Sequence, residues 1–122
     1  MAVLWELGTH SGTCQMGLFS NLFGKGGKGA KHYRDGLAKA EKGDWSGAIQ
    51  AYDLALRVDA SEEVRASALF NRGLAHAKLG HFDEAQKDYK MIIEGQSVPS
   101  RIKSEAKDNL NRLKKRRERE SQ

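Results

Sequence analysis

Few residues in this 122-residue chain have the types and spacing from which chemistry is usually built. His10 and Cys14 lie four apart, as a base and a thiol nucleophile could on a helix, but in a glycine-containing stretch with no third ligand or orienting group within reach. His76 and His81 fall on either side of Gly80, so they are not expected on one helical face, and a zinc site would need more ligands. His76 is instead expected to pack beside Gly73 in the core. The run Gly24-Lys25-Gly26-Gly27-Lys28 has the residue types of a phosphate loop, but not the Gly-x-x-x-x-Gly-Lys-Ser/Thr order, and no strand precedes it. Glu62-Glu63 and Asp83-Glu84 suit the positive ends of helix dipoles better than an acid/base pair. A single cysteine leaves no internal disulfide framework and no cysteine-rich zinc site. No catalytic residue, metal site or cofactor is therefore expected, and the chain reads as non-enzymatic.

The elements that position these residues are written as an internal repeat. Gly36-Leu37-Ala38 through Gly43-Asp44-Trp45-Ser46-Gly47-Ala48 lies over Gly73-Leu74-Ala75 through Gly80-His81-Phe82-Asp83-Glu84-Ala85. The match continues from Tyr52 to Tyr89 and from Leu56 to Ile93, at a constant offset of 37 residues. Self-similarity at a fixed period outranks any single motif as a signal of fold. Within each unit the periodicity is that of a helical hairpin. Tyr33, Gly36, Leu37 and Ala40 place a first helix over 31–42, which Gly43 ends in the manner of a left-handed C-cap. Ser46 and Asp83 are expected to cap the next helices, whose apolar faces are Ala48, Tyr52, Ala55, Leu56 and Ala85, Tyr89, Ile92, Ile93. Asp59-Ala60-Ser61-Glu62 carries capping chemistry for a helix over 61–79, nearly a turn longer than its counterpart. Gly36 and Gly73 fall mid-helix, where glycine costs about 1 kcal/mol against alanine. The same unfavourable choice at one repeat position implies a neighbour packed too closely for a side chain.

This skeleton resembles the tetratricopeptide repeat: Gly36, Gly43, Ala48, Tyr52, Ala55, and again Gly73, Gly80, Ala85, Tyr89, Ile92. The pattern's Leu is replaced by Asp35 and Arg72, its Tyr by Lys39 and His76, and its closing Pro by Ala60 and Ser97. The family period is about 34 residues, so the longer offset implies an insertion, placed at 61–65. The resemblance implies an all-α, right-handed α-α superhelix of about five helices. Repeats are expected over about 30–62 and 66–99. A capping helix over about 99–116 would put Ile102, Ala106, Leu110 and Leu113 on one stripe and seal the last repeat. Three repeats are usually needed for stability, so self-association or a partner is expected to supply further burial.

In this family the first helix of each repeat lines a concave face that holds extended peptides or partner helices. Carried onto this chain, the resemblance picks Tyr33, Arg34, Leu37 and Glu41 from the first unit and Phe70, Asn71, Leu74 and Lys78 from the second, with Arg101 beyond them. Tyr33/Phe70 and Leu37/Leu74 would form an apolar strip flanked by polar groups, a plausible recognition surface for an acidic partner. The alternative is that Tyr33 and Phe70 simply fill the gap between adjacent helices. A subfamily clasps the C-terminal carboxylate of heat-shock chaperones using paired Asn and Lys/Arg positions across three repeats. Asn71 matches one of these, but Arg34 stands where the other Asn belongs, and this ligand is not expected.

Charge is distributed unevenly. Residues 101–120 hold nine Lys/Arg against four acids, which accounts for the entire formal charge of +5, while residues 1–100 carry twelve of each sign. The pI of 9.4 thus describes a basic end, with Lys114, Lys115, Arg116, Arg117 and Arg119 expected to continue the last helix into a basic helical tail over 117–122. With no interleaved aromatic residue, nucleic acid is not the expected partner. The main rival to an adaptor is a basic tail on an anionic membrane surface or polymer, and a third reading is a structural, self-associating subunit.

Seven of the 13 glycines lie within residues 1–29, read as a flexible segment ahead of a domain over 30–116. Met1 to Gly8 lacks the positive start of a secretory signal, and no hydrophobic region precedes Cys14 as a lipoprotein signal requires. Translation from Met16 is an equal alternative, and Asn21 there stands where myristoylation wants Ser or Thr. Leu18, Phe19, Leu22 and Phe23, followed by Lys25 and Lys28, either rest on a membrane surface or form a greasy end that docks on the domain or stays loose. The expectation is a cytoplasmic, two-repeat adaptor, with peripheral membrane contact as the variant.

Overall fold

The computed structural model describes residues 27–121. His10, Cys14, the start at Met16, the apolar cluster from Leu18 to Phe23 and the glycine segment as far as Gly26 lie outside the described residues. Among the described residues there are five helices and no strand: α1 (Gly27–Glu41), α2 (Trp45–Arg57), α3 (Glu62–Lys78), α4 (Phe82–Glu94) and α5 (Ser100–Glu120). The fold is all-α. Helices α1 and α2 form one hairpin, α3 and α4 the second, and α5 packs on α4 and α3. α3 also touches both helices of the first hairpin, so the pairs stack as a helical repeat.

The expected helix ends hold at the glycines. Gly43 and Gly80 have φ of 81° and 80°, the left-handed conformation that lets the chain turn after α1 and α3 without a Cβ clash. Ser61 caps α3, its side-chain oxygen accepting from the Val64 N–H at 3.1 Å. Residues 62–65 of the expected insertion form the first turn of α3.

Three expectations are corrected. α1 begins at Gly27 rather than near Lys31, because Gly29 is buried against the α2–α3 connection and donates its N–H to the Asp59 carbonyl at 3.2 Å. The cap of α2 is Asp44, not Ser46: Asp44 Oδ1 accepts from the Gly47 N–H at 3.0 Å. At the equivalent place before α4 stands His81, with nearly the same backbone angles but no side-chain cap, and Asp83 lies inside the first turn. The last helix runs on through the basic run to Glu120, in line with a helical basic tail.

The reason for the two mid-helix glycines is visible in the packing. A Cβ on Gly36 would collide with the ring of Tyr52, and one on Gly73 would come within 2.8 Å of the Tyr89 ring. Each tyrosine comes from the second helix of the same hairpin and stacks on an aromatic of the first. Tyr33–Tyr52 centroids are 5.9 Å apart and Phe70–Tyr89 centroids 6.1 Å apart, both tilted. The glycines therefore exchange about 1 kcal/mol of helix propensity each for close contact between the helices of a hairpin.

Candidate functional site

The expected groove residues divide by burial. Tyr33 and Phe70 are 0% exposed, and Leu37, Asn71 and Leu74 are also buried. Their place in the core is a correction to an open apolar strip of aromatics: the two rings fill the space between helices, and a partner does not reach them in this arrangement. Asn71 ties the hairpins together, its Nδ2 donating to the Tyr33 hydroxyl and to the Ser67 carbonyl, both at 3.0 Å. Burial pushes the Tyr33 and Tyr52 hydroxyls well above the usual phenol range, so both stay neutral. Arg34, Glu41 and Arg101 are exposed, and Lys78 is half-buried over the Trp45 ring at 5.9 Å.

The departure at Arg72 has a structural role that the sequence did not reveal. Its guanidinium makes a two-pronged contact with Asp88, Nε to Oδ2 at 2.9 Å and Nη2 to Oδ1 at 2.7 Å, and reaches Asp53 with Nη1 at 2.7 Å. One side chain of α3 thus joins α4 and α2. The hydrogen bond to Asp88 raises the pKa of Arg72, keeping it charged despite partial burial.

His76 is not the core substitute expected. It is half-buried at the end of α3, and its Nδ1 lies 3.3 Å from Nδ1 of His81, so the turn brings together two residues that the sequence seemed to keep apart. Burial lowers the His76 pKa, opposed by Asp88 and reinforced by Arg72 and His81. Among the described residues no group of three or more His, Cys, Asp or Glu is placed to hold a metal ion.

An open pocket of about 460 Å³ lies between the C-terminal half of α3 and α5. Leu74 and Ala77 of α3, Tyr89 of α4 and Leu113 of α5 supply its apolar side. Five cations line the rest (Lys78, Arg112, Lys115, Arg116 and Arg119) together with Asn109, and no carboxylate does. The pocket joins Leu74 and Lys78 of the expected groove to three residues of the expected basic tail; Tyr33, Arg34, Leu37, Glu41, Phe70, Asn71 and Arg101 are not in it. The cause is helical geometry. Asn109, Arg112, Arg116 and Arg119 recur at helical spacing, so one stripe of α5 faces α3 while Lys114 and Arg117 point elsewhere. That spacing was readable, but grouping the cations as a contiguous run hid it.

Parts of the tail are already engaged. Arg116 donates to the Ala77 carbonyl at 3.0 Å, pairs with Glu120 at 2.9 Å and covers the Phe82 ring at 5.3 Å. Arg117 pairs with Asp83 at 2.8 Å. Residues 66–94, spanning most of α3 and all of α4, match the tetratricopeptide repeat family. That segment is a tetratricopeptide repeat. Among curated relatives it is similar to the photosystem I assembly protein Ycf3 of Synechococcus sp. (strain CC9902), 31% identical over 74 residues. It is likewise similar to the protein of that name from Parasynechococcus marenigrum (strain WH8102), 30% identical over 74 residues. Each alignment takes in 60% of this chain and 43% of the relative, so the chain spans less than half the length of the curated relatives it matches. No solved structure matches it. No helix among the described residues is long and apolar enough to cross a membrane.

Proposed function

We propose that this tetratricopeptide-repeat chain is a protein-interaction adaptor that holds a segment of a partner protein in the groove between α3 and α5. The observation that carries this reading is the pocket itself, open, about 460 Å³ and part apolar, on the side built by α3, the first helix of the second hairpin, and α5. In the family's architecture that side is the concave one. The similarity to proteins named for assembly of photosystem I supports a role in bringing proteins together. Which assembly this chain serves is left to its partner.

The exposed residues Arg34, Glu41 and Arg101 would flank such a segment, while Tyr33, Leu37, Phe70 and Asn71 act from beneath by fixing the angle between the hairpins. The test is selection of binders from a random peptide library on the wild-type chain, followed by two variants. Ala77→Arg fills the pocket floor; Met91→Glu alters an exposed apolar residue on α4, away from it. Selected peptides should lose Ala77→Arg and keep Met91→Glu, with helical circular dichroism unchanged in both. Equal binding to both variants would refute the groove.

A further inference from the structure

We infer that the α3–α5 pocket is built for an internal acidic–apolar segment of a partner protein, whose side-chain carboxylates meet the inward stripe of α5. This rests on the adaptor reading and specifies its ligand. Charge is the first ground. Five cations and no carboxylate line one pocket, and Arg112, Lys115 and Arg119 have no ion-pair partner among the described residues. On the neighbouring face Arg117 is neutralised by Asp83, and inside the pocket Arg116 is pinned to Ala77 and Glu120, so it serves as wall rather than ligand. Uncompensated cations drawn into one concavity raise the local concentration of anions and cost self-repulsion until one binds.

A buried amide is the second ground. Asn109 is 4% exposed; its Oδ1 accepts from Arg112 at 3.2 Å, and its Nδ2 has no partner. A buried donor left unpaired in the floor of a cationic pocket calls for an acceptor. The Asn109–Arg112 bond also fixes the guanidinium from below, which reduces the ordering cost when a carboxylate arrives.

Shape selects among anions. From Arg112 to Arg119 the helix advances about 10 Å, which is too far for one carboxylate or phosphate to bridge and suits two or three along a chain. The apolar half, Leu74, Ala77 and Leu113, offers nothing to a polyphosphate and a seat to an aliphatic side chain. Tyr89, the aromatic of the lining, is buried, so it presents no face on which a base could stack. A recessed pocket is also a poor match to the flat surface of a bilayer. These features favour a peptide bearing Asp or Glu around Leu or Ile over nucleic acid or lipid.

The test uses the whole chain and a short fluorescent peptide of alternating Glu and Leu, blocked at both ends, read by anisotropy at two salt concentrations. Arg112→Gln with Arg119→Gln should weaken binding at least about tenfold, as loss of charge-assisted hydrogen bonds implies. Lys107→Gln with Lys114→Gln removes the same charge from exposed positions outside the pocket and should change affinity less than about twofold. Replacing Leu by Ser in the peptide should also weaken it. Equal loss in the two double variants, or competition by heparin or single-stranded DNA with no effect of Leu→Ser, would overturn the inference in favour of a general polyanion surface. Binding only when the peptide's C-terminal carboxylate is free would overturn the internal segment. If acidic peptides fail while library-selected neutral ones bind and are lost on Ala77→Arg, this inference falls and the adaptor reading stands; if Ala77→Arg binds everything unchanged, the groove itself falls.

Discussion

Removing the carboxylate of Asp88 tests the clearest energetic claim about this repeat. The Asp88 side chain is 3% exposed and receives two prongs of Arg72, which is itself 22% exposed; Asp53, at 37%, takes the third nitrogen from closer to solvent. Deleting one partner of a buried pair costs about 3–5 kcal/mol, because the other charge is left without compensation. Here Asp53 remains at 2.7 Å and water reaches part of the guanidinium, which moves the expectation for Asp88→Ala to about 2–3 kcal/mol. For a domain of this size each kcal/mol moves the midpoint by about 4–8 °C, so Tm should fall by about 10–20 °C. Asp53→Ala should cost about 0.2–1 kcal/mol, as for a half-exposed pair. Arg72→Met added to Asp88→Ala should recover part of the loss, since no charge is then stranded. Urea unfolding followed by circular dichroism measures the free energies of Asp88→Ala, Asp53→Ala, Arg72→Met and the double variant, and a thermal melt gives Tm. An Asp88→Ala loss no larger than that of Asp53→Ala, or a double variant worse than the sum of the singles, would refute the account of Arg72 as a three-helix tie.

Gly73→Ala should destabilise by about 1–3 kcal/mol in thermal melts even though alanine is the better helix former, because its Cβ meets the Tyr89 ring; Gly73→Ala with Tyr89→Leu should relieve the clash. At Gly43 a Cβ meets nothing within 4 Å, so Gly43→Ala should show only the cost of its positive φ, about 1–2 kcal/mol. Asp44→Ala should cost about 1 kcal/mol in urea unfolding and Ser46→Ala under about 0.5 kcal/mol, the reverse of what a Ser46 cap requires. His76 has a lowered pKa in the folded chain, so the unfolded chain binds the proton more readily; the associated stability is present above the unfolded value near 6.5 and is lost as pH falls through the lower folded value. The urea midpoint should therefore drop more between pH 8 and pH 5 for the wild type than for His76→Gln; equal drops would refute the lowering of the His76 pKa by burial.

The duplicated glycines illustrate why so much of the fold could be read without coordinates. Gly43 and Gly80 mark turns through their own backbone freedom, a local property, and the chain does turn there. Gly36 and Gly73 signalled close packing through their cost, and the contact exists. What the repeat could not say was which atom approaches. The answer, a tyrosine sixteen residues further on, depends on the angle at which the hairpin closes. Capping was misassigned for a related reason. Asp44 and Ser46 both carry suitable oxygens two residues apart, and only the backbone conformation at the turn decides which of them reaches an amide.

The candidate site was legible in its parts and not in its assembly. The aromatics singled out as a binding strip have the right periodicity, but periodicity along one helix cannot separate a residue facing a groove from one facing the next helix. Tyr33 and Phe70 went inward because Tyr52 and Tyr89 are there to receive them. The basic run was visible as a run, and contiguous residues on a helix point in every direction. Once Leu110 and Leu113 are fixed to the core, the neighbouring stripe Arg112, Arg116 and Arg119 is compelled toward α3, and Arg117 toward Asp83 of α4. Two surfaces that the sequence set against each other as rivals, a groove and a cationic tail, thereby become walls of one pocket.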